Sequence, residues 1–155
     1  MVLAQKKRKI LYKNGRTLPA SAQVLMAEAK RDIDHSAKLG RNMRVANPGM
    51  KRPSESDAHH IVSAQCREAE KSRQFIFKLG IGINDFDNGV ILPRFKSAKI
   101  PSMPNAIPHQ HIHTIKYHMS VFFELFSKEE HTEPMARMTL QAIGGELVVG
   151  TFPYI

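Results

Sequence analysis

The chain has 155 residues, a length that suits one domain with one modest core and excludes two. Its single cysteine, Cys66, excludes an internal disulfide, and with no CxxC pair for a zinc ribbon or dithiol centre any metal must sit on His, Asp, Glu or Asn. The formal charge of +9 is uneven: residues 1–53 carry 13 Lys or Arg against 3 acids, whereas 54–155 carry 10 against 11.

The chain opens MVLAQKKRKILYKNG, basic but without an apolar run for a signal peptide or membrane span, so a soluble protein is expected and any export would not use a standard signal. A basic arm on a near-neutral domain suits a polyanion such as nucleic acid, through release of phosphate counterions; a solvated tail explains the same charge equally well. Residues 1–17 show no sustained apolar period. From Ser21 to Leu39 the spacing of Ala22, Leu25, Ala29, Ile33 and Ala37 predicts one amphipathic helix, with Gly40 as its C-cap. Residues 41–57 read as a basic linker rich in Pro, Gly and Ser.

AHHIV, residues 58–62, then predicts a short strand, and Gln65 to Leu79 a helix stopped by Gly80. The turn-rich GIGINDFDNG leads into VILPRF, a second strand closed by Pro93, and three prolines make 96–108 a loop. From Pro108 to Phe126 a helix is expected, with Ile112, Ile115, Met119, Phe122, Phe123 and Phe126 as one stripe. A helix from Glu133 to Ile143, a Gly144-Gly145 turn and a strand ELVVGTF close a mixed α+β chain without internal repeats.

Six of the eight histidines cluster, as His59-His60 and as His109, His111, His113 and His118. Converging imidazoles serve as metal ligands or proton carriers; the bland alternative is a His-rich surface helix plus one buried strand His. On a helix, only His109 and His113 are four apart and share one face a single turn from each other. His111 and His118 share another, but their backbones would stand roughly 10 Å apart, too far for one ion. Adjacent strand residues leave opposite faces, so His59 and His60 should differ: one completes a three-His site with open positions, the other takes a proton from the attacking water.

The ordered motifs AHHIV, INDFDNGVILP and HQHIHTIKYHMSVFFEL, spanning residues 57–126, resemble the AHH family of HNH/endonuclease VII-type nucleases, toxin domains of bacterial secretion and polymorphic-toxin systems. They are also similar to the colicin-type HNH nucleases in the order of double His, Asn before a strand, and HxxxH. The resemblance implies a ββα-metal (His-Me finger) core at 57–126; the basic arm, helix and linker at 1–56 are expected to precede it and a C-terminal helix-strand extension at 127–155 to pack on it, all in one globular unit. It implies His59, His109 and His113 as ligands of one divalent metal, His60 as general base and Asn88 as the residue fixing the loop behind it. Asn88 in DNGV is equally an ordinary Asn-Gly turn, and both readings hold together. His118 departs from the pattern, where relatives carry a second aromatic after Tyr117, and reads as a packing residue.

The implied activity is phosphodiester hydrolysis with little sequence preference, DNA being favoured on the resemblance alone. Arg94, Lys96 and Lys99 border the site and are candidates for flanking phosphates, though loop cations are more often just solvated. Three imidazoles suit zinc better than magnesium, with manganese or nickel as further options. Such toxin domains act in a target-cell cytoplasm after delivery from a producing bacterium, which needs an immunity protein, acidic to match the basic surface. The competing readings are a metal-stabilised nucleic-acid-binding module without catalysis, and a metal-dependent RNase.

Overall fold

The computed structural model describes residues 10–155, so the basic run at 6–9 lies outside the described residues. Residues 10–17 have structure that their lack of periodicity did not announce. Strands β1 (Tyr12–Lys13) and β2 (Arg16–Thr17) pair antiparallel around Asn14 and Gly15, whose φ values are 54° and 78°. An Asn-Gly pair with both φ positive is what a two-residue hairpin demands. A Cβ on Gly15 would lie 2.4 Å from the Asn42 carbonyl oxygen, so no other residue fits.

The helix expected over 21–39 is two. Helix α1 (Ala22–Ala29) starts under the Ser21 cap, and α2 (His35–Ala46) starts where the Asp34 carboxylate accepts from the Ala37 amide at 2.9 Å. The apolar spacing runs through both, but Asp34 offers a fresh cap that restarts the helix. Gly40 therefore sits inside α2 rather than at its end, and residues 41–46 of the expected linker are helical.

Strands β3 (Ser56–His60) and β4 (Gly89–Pro93) pair antiparallel, from Ser56 opposite Pro93 to His60 opposite Gly89. They are joined by residues 61–88 rather than by a tight hairpin, a connection that includes α3 (Glu70–Lys78). The period of two along a strand divides their side chains. Ala58 and Ile91 pack with Leu39 of α2, whereas Val90 and Leu92 join the main core. Helices α4 (Ile115–Phe126) and α5 (Glu133–Val149) complete the chain, with α5 packed on β4 and α4 on α3 and α5.

Two C-terminal expectations are overturned. The Gly144-Gly145 turn and the strand at 146–152 do not form, because α5 runs on to Val149 and ends at Gly150 in the left-handed region, φ 82°. Leu140, Ile143, Gly144 and Leu147 are all buried, a helical spacing that lays α5 beside Ile61 and Val90. Most of the expected apolar stripe also faces outward: Ile115, Met119, Phe123 and Phe126 are exposed and Phe122 half-buried, whereas Ile112, ahead of α4, is buried as expected and Tyr117, His118, Val121 and Leu125 fill the inner face of the helix. The Tyr117 hydroxyl donates to the Ile61 carbonyl at 2.7 Å, which sets the rotation of the helix about its axis.

One ionic network ties distant segments together. Arg137 of α5 donates to Asp85 at 2.9 Å and to Asp87 at 2.7 Å, and both carboxylates are inaccessible to solvent. Asp87 also accepts from Arg16 of β2 and Gln141 of α5, and Asp85 from Thr17. Burial alone would raise the Asp87 carboxyl, but Arg16, Gln141 and Arg137 more than offset it and hold it below the usual range. The network pins residues 83–88, the segment that carries Asn84 and Asn88. The outcome is an α+β domain of helices and two small two-stranded sheets, and among the described residues no helix is long and apolar enough to cross a membrane.

Candidate active site

Strand alternation sends the paired histidines to different surroundings. His60 follows Ala58 to the α2 face, where its Nε2 lies 2.8 Å from Asn84 Oδ1. His59 turns to the other face, with Nε2 3.4 Å from the Tyr117 hydroxyl. That hydroxyl already gives its proton to Ile61, so it can only accept from His59, which leaves His59 Nδ1 with the free lone pair. Both rings nevertheless reach one cleft of 330 Å³, shared with Asp34, His35, Ser63, His109 and His113.

His59, His109 and His113 each offer one nitrogen, and these atoms all lie within 4.8 Å of one another. His111 and His118 are outside this group. His111 is exposed and its Nε2 lies 3.2 Å from Gln110 Nε2, whereas His118 is buried against Tyr117. The geometry that brings His109 and His113 together is not the single helix face expected. His109–His111 is a 3-10 turn, and α4 begins only after Thr114, whose hydroxyl accepts from the Tyr117 amide at 3.1 Å. The Thr114 cap ends any continuous helix between the two ligand positions, and the turn brings both rings to His59 by another route. The Asp57 carboxylate stands 3.7 Å from His109 Nδ1, behind the cluster.

Burial pushes the His59 imidazolium well below its ordinary pKa, with His109 and His60 adding to the effect, and burial together with His109 lowers His113. Burial brings His60 down to about 4, although its bond to Asn84 works the other way. All three rings are thus neutral near pH 7, with lone pairs available to a metal or a proton. In the metal-free protein this depression costs stability in acid, because the unfolded chain binds protons that the folded rings refuse. Stability is full above about pH 6.5 and declines as pH falls towards about 4; from pH 7 to 5 His60 alone should remove about 2 kcal/mol, with His59 adding in the same direction. Urea midpoints measured on chelated protein check this. A midpoint flat from pH 7 to 5 contradicts buried neutral rings.

Asn88 is buried and fully used. Its Nδ2 donates to Val62 O at 3.0 Å and Ile83 O at 2.9 Å, and its Oδ1 accepts from Val62 N at 2.8 Å. The side chain thereby fixes the exit of β3 against the entry to β4, directly behind the His pair. Of the three loop cations, Arg94 is held by Asp57 at 3.1 Å, which also meets Arg52, while Lys96 and Lys99 are exposed.

Two residues absent from the sequence-based site belong to it geometrically. Asn84 contacts His60, and its Nδ2 lies 3.0 Å from Nδ1 of His35, the first residue of α2. The signal for Asn84 was masked by its turn-like setting in INDFDNG, and His35 stood apart from both His clusters.

A buried His pair, two further imidazoles across one cleft and an Asn that binds the backbone beside the pair make up a histidine-rich candidate site. A family model described as a nuclease family of the HNH/ENDO VII superfamily with conserved AHH matches residues 40–146. The chain belongs to this AHH family and is accordingly an HNH-type endonuclease. The match extends beyond the 57–126 of the motifs and takes in the end of α2 and most of α5. No curated protein and no solved structure matches the chain.

Proposed function

We propose that this endonuclease is metal dependent and hydrolyses the phosphodiester backbone of nucleic acid, DNA by preference, with little sequence specificity. The observation that carries the reading is the convergence of His59, His109 and His113, three imidazoles whose ligand-type nitrogens lie within 4.8 Å of one another, beside a cleft that also receives His60. The donor set fits a divalent ion. Imidazoles bind as neutral ligands, and among the described residues no fourth His, Cys, Asp or Glu closes the group, which suits a hydrolytic rather than a structural site. Zinc is the ion best matched to three nitrogens, with magnesium, manganese and nickel as alternatives to be compared.

In this reading β3, β4 and the segment leading into α4 act as a ββα-metal unit. When bound, the ion supplies Lewis acidity and charge neutralisation at the phosphate oxygens. His60 takes the proton from the attacking water as general base. Asn88 keeps the His pair at its station by binding the backbone on either side, and Lys96 and Lys99, with Arg94 where Asp57 releases it, meet flanking phosphates. A metal and a base acting on a backbone phosphate carry little sequence preference of their own, in keeping with low specificity. A toxin-type role, with delivery to a target cell and an acidic immunity protein as partner, belongs to the same proposal and rests on the family resemblance and the basic N-terminal third.

The direct experiment is degradation of supercoiled plasmid and of structured RNA by the purified chain, with zinc, magnesium, manganese or nickel and with chelator. Cleavage lost to chelator and restored by metal is expected. His59→Ala should bind metal about 10- to 100-fold more weakly, by the usual measure of a damaged metal site, and regain part of its activity in excess metal. Cleavage indifferent to chelator, or full metal content in His59→Ala, rules the metal reading out.

A further inference from the structure

A chain of hydrogen bonds runs from the backbone to the proposed general base, and its direction is settled by one atom. The Arg31 carbonyl oxygen can only accept, and it lies 2.9 Å from His35 Nε2, so that nitrogen carries the proton. A neutral His35 then has its lone pair on Nδ1, which takes a proton from Asn84 Nδ2 at 3.0 Å. The amide is thereby oriented with Oδ1 towards His60 Nε2 at 2.8 Å, and an amide oxygen can only accept. His60 must hold its proton on Nε2. Its Nδ1 makes no hydrogen bond among the described residues and is not among the buried unpartnered atoms, so it opens on the cleft.

The alternative is the reversed amide, and it carries a penalty. With Oδ1 facing His35, that ring would need protons on both nitrogens. It would be a cation only 7% exposed, whose nitrogens meet a carbonyl and an amide but, among the described residues, no carboxylate. Asn84 is itself buried, and its own backbone carbonyl is held by Asn42 of α2 at 2.7 Å, so the same helix that supplies His35 also anchors the residue between the two rings.

We propose that Asn84 and His35 are positioning residues that lock His60 in the Nε2–H tautomer and leave Nδ1 as the nitrogen that receives the proton of the attacking water. On proton uptake the Nε2–H bond to Asn84 becomes charge-assisted and stabilises the imidazolium, while His35 keeps the amide from turning over. The role of α2 in the enzyme is then more than packing: its first turn determines which lone pair does the chemistry. This inference rests on His60 being the base, and the test separates the two.

The ¹⁵N shifts of the imidazole nitrogens in the purified metal-free protein at neutral pH report the tautomer directly. The His60 resonances, assigned by their loss in His60→Ala, should show a protonated Nε2 and a bare Nδ1; a protonated Nδ1 overturns the proposal. In cleavage assays, Asn84→Ala and His35→Phe should each lower kcat about 10- to 100-fold, the usual cost of removing a partner that orients a site histidine, with KM and metal content close to wild type. Asn84→Asp keeps an oxygen facing Nε2 and should recover most of the kcat lost in Asn84→Ala. The double variant should be little worse than Asn84→Ala alone, because links in series do not add. Additive losses, or losses confined to KM or metal content, would sink the relay. If one of the variants fails to fold, the wild-type tautomer still decides. If the tautomer is as stated but His60→Ala cleaves normally, the general-base reading falls, and with it the catalytic use of the relay.

Discussion

His60→Ala protein is expected to fold, to bind its metal and much of its nucleic-acid affinity, and to cleave about 10² to 10⁴ times more slowly than wild type. The dissociation follows from strand alternation. His60 faces Asn84 and α2, while the metal-ready nitrogens belong to His59, His109 and His113 on the other side of β3. A general base acts on the transition state far more than on the ground state, so kcat should fall and substrate affinity should not. Metal analysis, a binding isotherm on uncleaved duplex and single-turnover cleavage of the same preparation make the measurement. If His60→Ala loses metal while His59→Ala keeps it, the two roles are exchanged. Cleavage at the wild-type rate removes His60 from the chemistry altogether.

Arg137→Met is expected to destabilise the fold by about 3 to 5 kcal/mol, the cost of stripping one partner from a buried ion cluster. Arg137 is itself buried and serves two carboxylates that solvent does not reach. Asp85 would keep only Thr17, and Asp87 would keep Arg16 and Gln141, so each carboxylate loses its buried cation. For a chain of this length the loss should lower the melting temperature by about 10 °C. It should also raise the fraction of molecules with the Asn84 and Asn88 segment displaced, so activity at sub-melting temperatures should fall before the global transition does. Arg137→Lys, with charge but no two-armed donor, should be intermediate. A shift of the melting temperature within a degree or two would mean that the network is solvated in practice.

The family was legible from one dimension because its motifs depend on residue type and order. AHHIV, INDFDNG and HxxxH occur in one chain in an order that chance seldom produces, and alternation on a strand is enough to predict that His59 and His60 part company. The segments whose caps are local were legible too, as with β4 closing at Pro93 and α3 stopping before Gly80. Where local signals competed, reading failed. Asp34 restarted a helix that apolar spacing ran through, and Thr114 broke the helix that was to align His109 with His113. Gly144-Gly145 stayed helical because Leu140, Ile143 and Leu147 of the same helix are buried in the core, and that packing outweighs a turn preference.

By itself, then, the sequence determined the family through its ordered motifs, that a single cysteine forms no internal disulfide, and that two adjacent strand histidines leave opposite faces. Only the tertiary structure decided that the three ligand-type nitrogens lie within 4.8 Å, that most of the apolar stripe of α4 points outward, and that His35 and Asn84 stand behind His60. The physical reason is that residue types and short spacings define intrinsic reactivity and local backbone preference, whereas convergence and tautomer depend on donors and acceptors supplied by segments far apart in the chain. His35 and His60 stand at the start of α2 and the end of β3, with nearly all of that helix, a linker and the strand between them in sequence, and a single amide connects the two rings.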